Sequence, residues 1–135
     1  MPETPKMNSK ITNVLLTAVQ ALLPLPFLMG GTMKIITPYD ELIAGENMGW
    51  AADFSPTAIM GIGAVEFVFS ACLLSALFVD LTKKYTSVWA GGIGAVMVGA
   101  AITHIGRGEP ITVNLVFFAL AAVVAIARRD RLKSA

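Results

Sequence analysis

The sequence predicts an all-α polytopic membrane protein: a bundle of four transmembrane helices with a short interfacial helix in its first outward loop. Three observations lead there. Hydrophobic residues make up 56% of the chain and charged residues only 14%, against about 45–50% and about 25% in an ordinary soluble domain. Four long apolar runs, residues 11–33, 57–79, 87–105 and 111–127, separate the charges. A spanning helix needs about 20 residues, within a range of about 17–25, and the last run sits at the lower limit. Finally, eight of the ten basic residues fall on one side of such a bundle.

The first run is too long for the apolar core of a signal peptide. Pro24 and Pro26 interrupt it, removing the hydrogen bonds to the Gln20 and Leu22 carbonyls, so a kink is expected in mid-membrane. Asn13, Thr17, Gln20 and Pro24 share one helical face. That stripe is expected to face the bundle, with Gln20 bonding the backbone that the prolines free.

The segment 34–56 is too apolar for a plain linker. Thr37-Pro38 followed by Asp40 and Glu41 reads as a helix start. A short helix is expected over the outer mouth, with Leu42, Ile43, Met48 and Trp50 resting on the interface and Trp50 as an anchor.

The second run opens with Ser55 as cap and Pro56 as first helical residue. Thr86 or Ser87 is expected to cap the third. There, Gly91, Ala95 and Gly99 form a small-residue stripe that suits either packing within the bundle or a homodimer. Pro110 suits the first position of the fourth. Residues 1–135 read as one membrane domain, with frayed ends at 1–9 and 131–135.

Orientation follows from the cations. Lys6, Lys10, Lys83, Lys84, Arg128, Arg129, Arg131 and Lys133 share the side of the termini, opposite Lys34 and Arg107. The positive-inside rule then places both termini in the cytoplasm, and the inner membrane is expected if the cell is bacterial.

Glu66 is the one charged residue in the run 57–79. A carboxylate at membrane depth costs about 2.5–3.5 kcal/mol on insertion scales, so it needs a partner or a role. Side chains on a helix tilt toward its N-terminus. Glu66 and Asn114, on helices that start outside, therefore lean outward, while Lys34 and His104, on helices that end there, lean inward. The four reach a common depth as a polar cluster able to hold a ligand's polar group or to act as interhelical glue. A Glu66–His104 pair is one arrangement that would pass a proton. Arg107 and Glu109 are expected as a surface pair, with Arg107 able to help hold an anion above the cluster. Catalytic residues are not assigned. Cys72 is the sole cysteine, so no dithiol and no metal site are expected. The apolar bulk argues against nucleic acid.

The chain resembles the DoxX-like family of small four-helix membrane proteins. The resemblance rests on Gly31-x-x-Lys34, on Glu66, and on His104-Ile105-Gly106-Arg107-Gly108-Glu109-Pro110 leading to Asn114. It implies a four-helix bundle, and for some members a place in a thiosulfate–quinone oxidoreductase, a thiol-redox complex or the assembly of membrane receptors. No haem, flavin or iron–sulfur motif accompanies it, so no covalently bound cofactor is expected and the chain alone is not read as a self-sufficient enzyme. The expectation is a site for a quinone or lipid headgroup formed by Glu66, His104, Asn114, Lys34 and Arg107, in a subunit or accessory of a redox-linked complex. The alternative is a non-enzymatic assembly or interaction factor for other membrane proteins. A proton-coupled transporter stands third, since no inverted repeat is evident.

Overall fold

The structure, a computed structural model, describes residues 9–133. Expectations on residues 1–8 and 134–135, Lys6 included, lie outside the described residues. Helix α1 (Ser9–Leu22) and helix α2 (Pro24–Ile36) form one long rod interrupted only at Leu23, where the prolines take over. Helix α3 (Tyr39–Ile43) and a 3-10 turn (Gly49–Asp53) follow. Then come α4 (Pro56–Ser75), the single turn α5 (Asp80–Lys83), α6 (Thr86–Gly106), α7 (Thr112–Ala127) and a second 3-10 turn (Arg129–Lys133). There is no strand among the described residues.

Large apolar residues face outward as well as inward, unlike those of a water-soluble bundle. Leu22, Ile36 and Ile102 are 66%, 71% and 67% exposed, while Gln20, Ser70 and Thr86 are fully buried. Apolar side chains outside and polar ones inside suit a hydrocarbon solvent. Ser9–Ile36, Pro56–Ser75 and Thr86–Gly106 are each long and apolar enough to cross a bilayer. Helix α7 has 16 residues, about 24 Å of rise, and is shorter than that.

Helix α2 packs along α4, and α6 along α7, with α4 against α6 joining the two pairs. Their shared core holds Leu23, Phe27, Leu73, Ile93, Met97, Ala121 and Val124, and Phe27 meets Phe117 edge-on at 5.3 Å. The α2–α4 crossing is backbone on backbone. A Cβ on Gly31 would stand 2.7 Å from the Gly63 carbonyl oxygen, and one on Gly63 would stand 2.8 Å from that of Gly31. Only residues without a side chain permit this approach.

Gly91 and Gly99, by contrast, meet nothing within 4 Å and are exposed with Ala95 on α6. The stripe singled out in the sequence is therefore not what packs the bundle.

Several local expectations need correction. Ser55 caps α4 as expected, its hydroxyl accepting the Ala58 N–H at 3.1 Å. Neither Thr86 nor Ser87 caps α6. Thr86 is already its first residue, and its hydroxyl donates to the Lys83 carbonyl at 2.6 Å. Pro110 lies two residues before α7, whose N-cap position is Ile111. Gln20 does not serve the backbone freed by the prolines. Its Nε2 donates across to the Leu73 carbonyl at 3.3 Å, an acceptor left open because the Leu77 N–H turns to Leu74 instead. Residues 131–133 are not frayed, since they belong to the closing 3-10 turn and Arg131 is tied to Thr86.

The loop 37–55 folds back as a cap, packing Leu42 and Ala51 in a small core with Ile59 of α4. The Tyr39 hydroxyl donates to the Phe54 carbonyl at 2.6 Å and so pins the two ends of the cap together. Leu42 is buried here rather than resting on an interface.

Candidate functional site

Beneath that cap, between α2, α4, α6 and α7, lies a cavity of about 780 Å³. This falls within the roughly 300–1,000 Å³ typical of small-molecule sites. Phe27, Val65, Val96, Met97 and Phe117 supply apolar wall, and Trp50 and Phe54 of the cap line it as well. The polar lining comprises Lys34, Glu66, Thr103, His104 and Asn114. Four of the five residues expected from the sequence thus share one cavity. The fifth, Arg107, is not in its wall.

Two of these residues neutralise each other. Lys34 Nζ donates to Glu66 Oε2 at 2.9 Å, with side chains only 10% and 8% exposed. Lys34 lies in the last turn of α2 and Glu66 sits mid-way along α4, directly beside the glycine crossing, which brings their helices close enough to pair. The Lys34 ammonium also lies 5.6 Å from the centre of the Trp50 ring, a cation–π distance. Trp50 is therefore turned inward over the cavity instead of anchoring the interface.

His104 pairs elsewhere. Its Nδ1 lies 2.7 Å from Glu109 Oε2. A carboxylate accepts, so this bond assigns the proton to Nδ1. Nε2 is left with no protein partner among the described residues. Asn114 is equally underused, its Nδ2 reaching only the Met97 sulfur at 3.9 Å, a weak acceptor. The Glu66–His104 pair envisaged from the sequence gives way to two separate pairs, Lys34–Glu66 and His104–Glu109.

The specific stretch His104–Pro110 owes its form to helix-ending chemistry. The Glu109 N–H bonds the His104 carbonyl at 2.9 Å and the Gly108 N–H bonds that of Ile105 at 3.0 Å, the Schellman pattern. It requires a left-handed residue at Gly108, whose φ is +69°, and glycine adopts this without strain. The wrap returns Glu109 to His104, so one residue serves the histidine's backbone and its ring together.

Arg107 fastens the cap to this turn. Its Nη1 donates to Asp53 Oδ2 at 2.8 Å and its Nε to Glu109. The Arg107 guanidinium, and after it the His104 ring, hold Glu109 below the usual carboxylate range. Glu109 and then Asp53 hold Arg107 above its own ordinary value. Arg107 is thus a clasp between the cap and the α6–α7 turn, outside the cavity. Asp53 and Phe54 carried no signal in the sequence, because their role follows only from how the cap folds back.

In chemical terms, the cavity offers an apolar bed and a polar rim. Within that rim Lys34 and Glu66 neutralise each other's charge, while His104 Nε2 and the Asn114 amide keep unused bonding capacity. No curated protein and no solved structure matches this chain. The sequence profile of the DoxX-like family matches residues 18–127, a span that contains every polar residue of the cavity and the whole His104–Pro110 turn. This integral membrane protein belongs to the DoxX-like family.

Proposed function

We propose that the cavity binds an amphipathic ligand, a quinone or a lipid, whose polar head bonds His104 Nε2 and Asn114 while its tail lies along Phe27, Val65 and Phe117. The observation that carries this reading is the unused bonding capacity of two polar side chains, His104 at Nε2 and Asn114 at its amide, on the wall of a mostly apolar cavity. Polar groups facing apolar surroundings cost free energy unless something bonds them. A hydroxyl head, which a lipid carries and a quinone presents in its reduced quinol form, meets both needs, since it donates to His104 Nε2 and either donates to or accepts from Asn114.

In this reading all four apolar helices cross the membrane. α7 reaches across with the help of its flanking residues, both termini face the cytoplasm, and the cell is bacterial with the protein in its inner membrane. The chain works as a subunit or accessory of a redox-linked complex, delivering or sensing the ligand rather than transforming it alone. Titration of the purified protein with a short-chain ubiquinol or menaquinol analogue, kept reduced, tests it. Binding that quenches Trp50 in a Trp89→Phe background, and that weakens about tenfold or more in Asn114→Ala and His104→Gln, is expected, because each loses a buried hydrogen bond. Affinity unchanged in both variants contradicts the assignment.

The closed Lys34–Glu66 pair favours a second reading for that part of the cluster, as glue between α2 and α4. On this view the chain is an assembly or interaction factor for other membrane proteins, and ligand binding is absent in wild type. Mild-detergent pull-down with crosslinking then recovers a specific membrane partner.

A further inference from the structure

At the opposite end of the bundle a second polar cluster stands apart from the cavity. The start of α1, the start of α6 and the end of α7 meet there. Arg128, just past α7, donates from Nη2 to Asn13 Oδ1 at 2.8 Å and to Thr17 Oγ1 at 3.5 Å. Its Nε is enclosed and has no hydrogen-bond partner. Arg131, in the closing 3-10 turn, donates from Nη1 to Thr86 Oγ1 at 2.8 Å. Each guanidinium is half-buried and held only by neutral oxygens. Neither forms an ion pair with a carboxylate among the described residues, in contrast to Lys34, Lys83 and Arg107, which all do.

Two arginines so placed repel each other. Burial first, and then the charge of Arg128, push Arg131 below its ordinary value. The negative end of α7 favours a cation nearby, but it gives neither fork an acceptor. The missing counter-charge is an oxyanion with several acceptor oxygens, the shape that a guanidinium fork matches best. The surroundings specify its source. Ile11, Val14 and Leu15 on α1, and Val123 and Ile126 on α7, are large, apolar and exposed on either side of the cluster. An oxyanion that carries acyl chains would satisfy the arginines and cover those faces together.

We propose that Arg128 and Arg131 hold the phosphodiester of an anionic phospholipid in the leaflet that meets this end, with its acyl chains laid along α1 and α7. Basic pockets between helices at a membrane face are suited to such headgroups. The site is independent of the cavity and of what the cavity binds.

Native mass spectrometry of the full chain, after exchange into defined mixtures of phosphatidylglycerol and phosphatidylcholine, tests the proposal. Wild type is expected to retain phosphatidylglycerol with a preference of roughly thirtyfold, the scale set by two basic side chains at a lipid surface. Arg128→Gln/Arg131→Gln should lose that preference. Arg129→Gln, which removes an equal charge from the exposed neighbour, should keep it. Arg131→Lys, which retains the charge and loses the fork, should fall between, and it serves if the double variant does not fold. Equal retention of the two lipids by wild type overturns the site, as does equal loss of preference in Arg129→Gln. Inorganic phosphate or glycerophosphoglycerol that stabilises wild type as much as phosphatidylglycerol does overturns the lipid as the source of the phosphate.

Discussion

Lys34 and Glu66 close a 2.9 Å ion pair across the α2–α4 interface, beside the point where Gly31 and Gly63 bring the two backbones together. The charges and the glycines depend on each other. Glycine at the crossing sets the helix separation, and that separation lets a short carboxylate meet a long ammonium inside an apolar wall. Removing one partner of a buried pair leaves a bare charge, at a cost of about 3–5 kcal/mol. Glu66→Gln and Lys34→Met are each expected to lower the thermal unfolding midpoint in detergent sharply. The double variant should recover much of the loss, because no charge is then stranded. Additive losses in this cycle would show that the pair is not coupled.

The crossing itself is tested by adding single methyl groups. Gly31→Ala and Gly63→Ala drive a Cβ to 2.7 Å from a backbone oxygen and from Lys34 Cβ respectively, and overpacking of this kind costs about 1–3 kcal/mol. Gly91→Ala and Gly99→Ala place the same methyl in open space. They should be neutral, or stabilising by up to about 1 kcal/mol through helix propensity. Unfolding midpoints of the four variants measure the contrast. Equal effects at all four positions would deny that α2 and α4 approach this closely.

Acid should loosen the cap. Glu109 is held below the ordinary glutamate value of 4.5 by Arg107 and His104. A carboxylate lowered in the folded state adds stability that is complete above its unfolded value and is lost as pH falls through the folded one. The Arg107–Glu109 contribution should therefore be constant at neutral pH and disappear below about pH 4.5. Hydrogen exchange of residues 39–54, compared with that of α4, reads the opening of the cap. Glu109→Gln should remove this acid step, and Arg107→Ala should raise exchange in the cap at every pH. An acid step of the same size in Glu109→Gln would place the titrating group elsewhere.

The α6–α7 turn carries a conformational requirement. Gly108 at φ +69° lies where other residues are strained, and Gly108→Ala is expected to cost about 1 kcal/mol. Because this turn returns Glu109 to His104, the same variant should also disturb the histidine ring, visible as a shifted imidazole resonance in NMR. A resonance that stays in place would separate the turn from the ring.

Much of this is legible in the sequence. The apolar runs announced the helices because hydrocarbon burial leaves a long compositional trace, and Ser55-Pro56 announced the start of α4 because capping is local chemistry. Glu66 stood out because charge at that depth is costly. Its partner was not legible. Lys34 and His104 both reach the right depth, and only helix rotation, set by the Gly31–Gly63 contact, chooses Lys34. The same ambiguity applies to the small residues, since Gly91-x-x-x-Ala95-x-x-x-Gly99 shows the clearer spacing and yet neither of its glycines makes a close helix contact. His104 and Glu109 both stand out in the sequence, but their pairing depends on a chain reversal in which Glu109 supplies backbone and side chain to one residue. Asp53 was silent because its role arises from the cap folding over, a long-range event that leaves no periodic trace in the sequence.

An experimental structure of the protein extracted with its native lipids tests the central claim most directly. The account predicts non-protein density filling the cavity under Trp50, with a polar end within hydrogen-bond distance of His104 Nε2 and Asn114. A cavity collapsed onto itself, or filled by hydrocarbon with both side chains still unbonded, would contradict it.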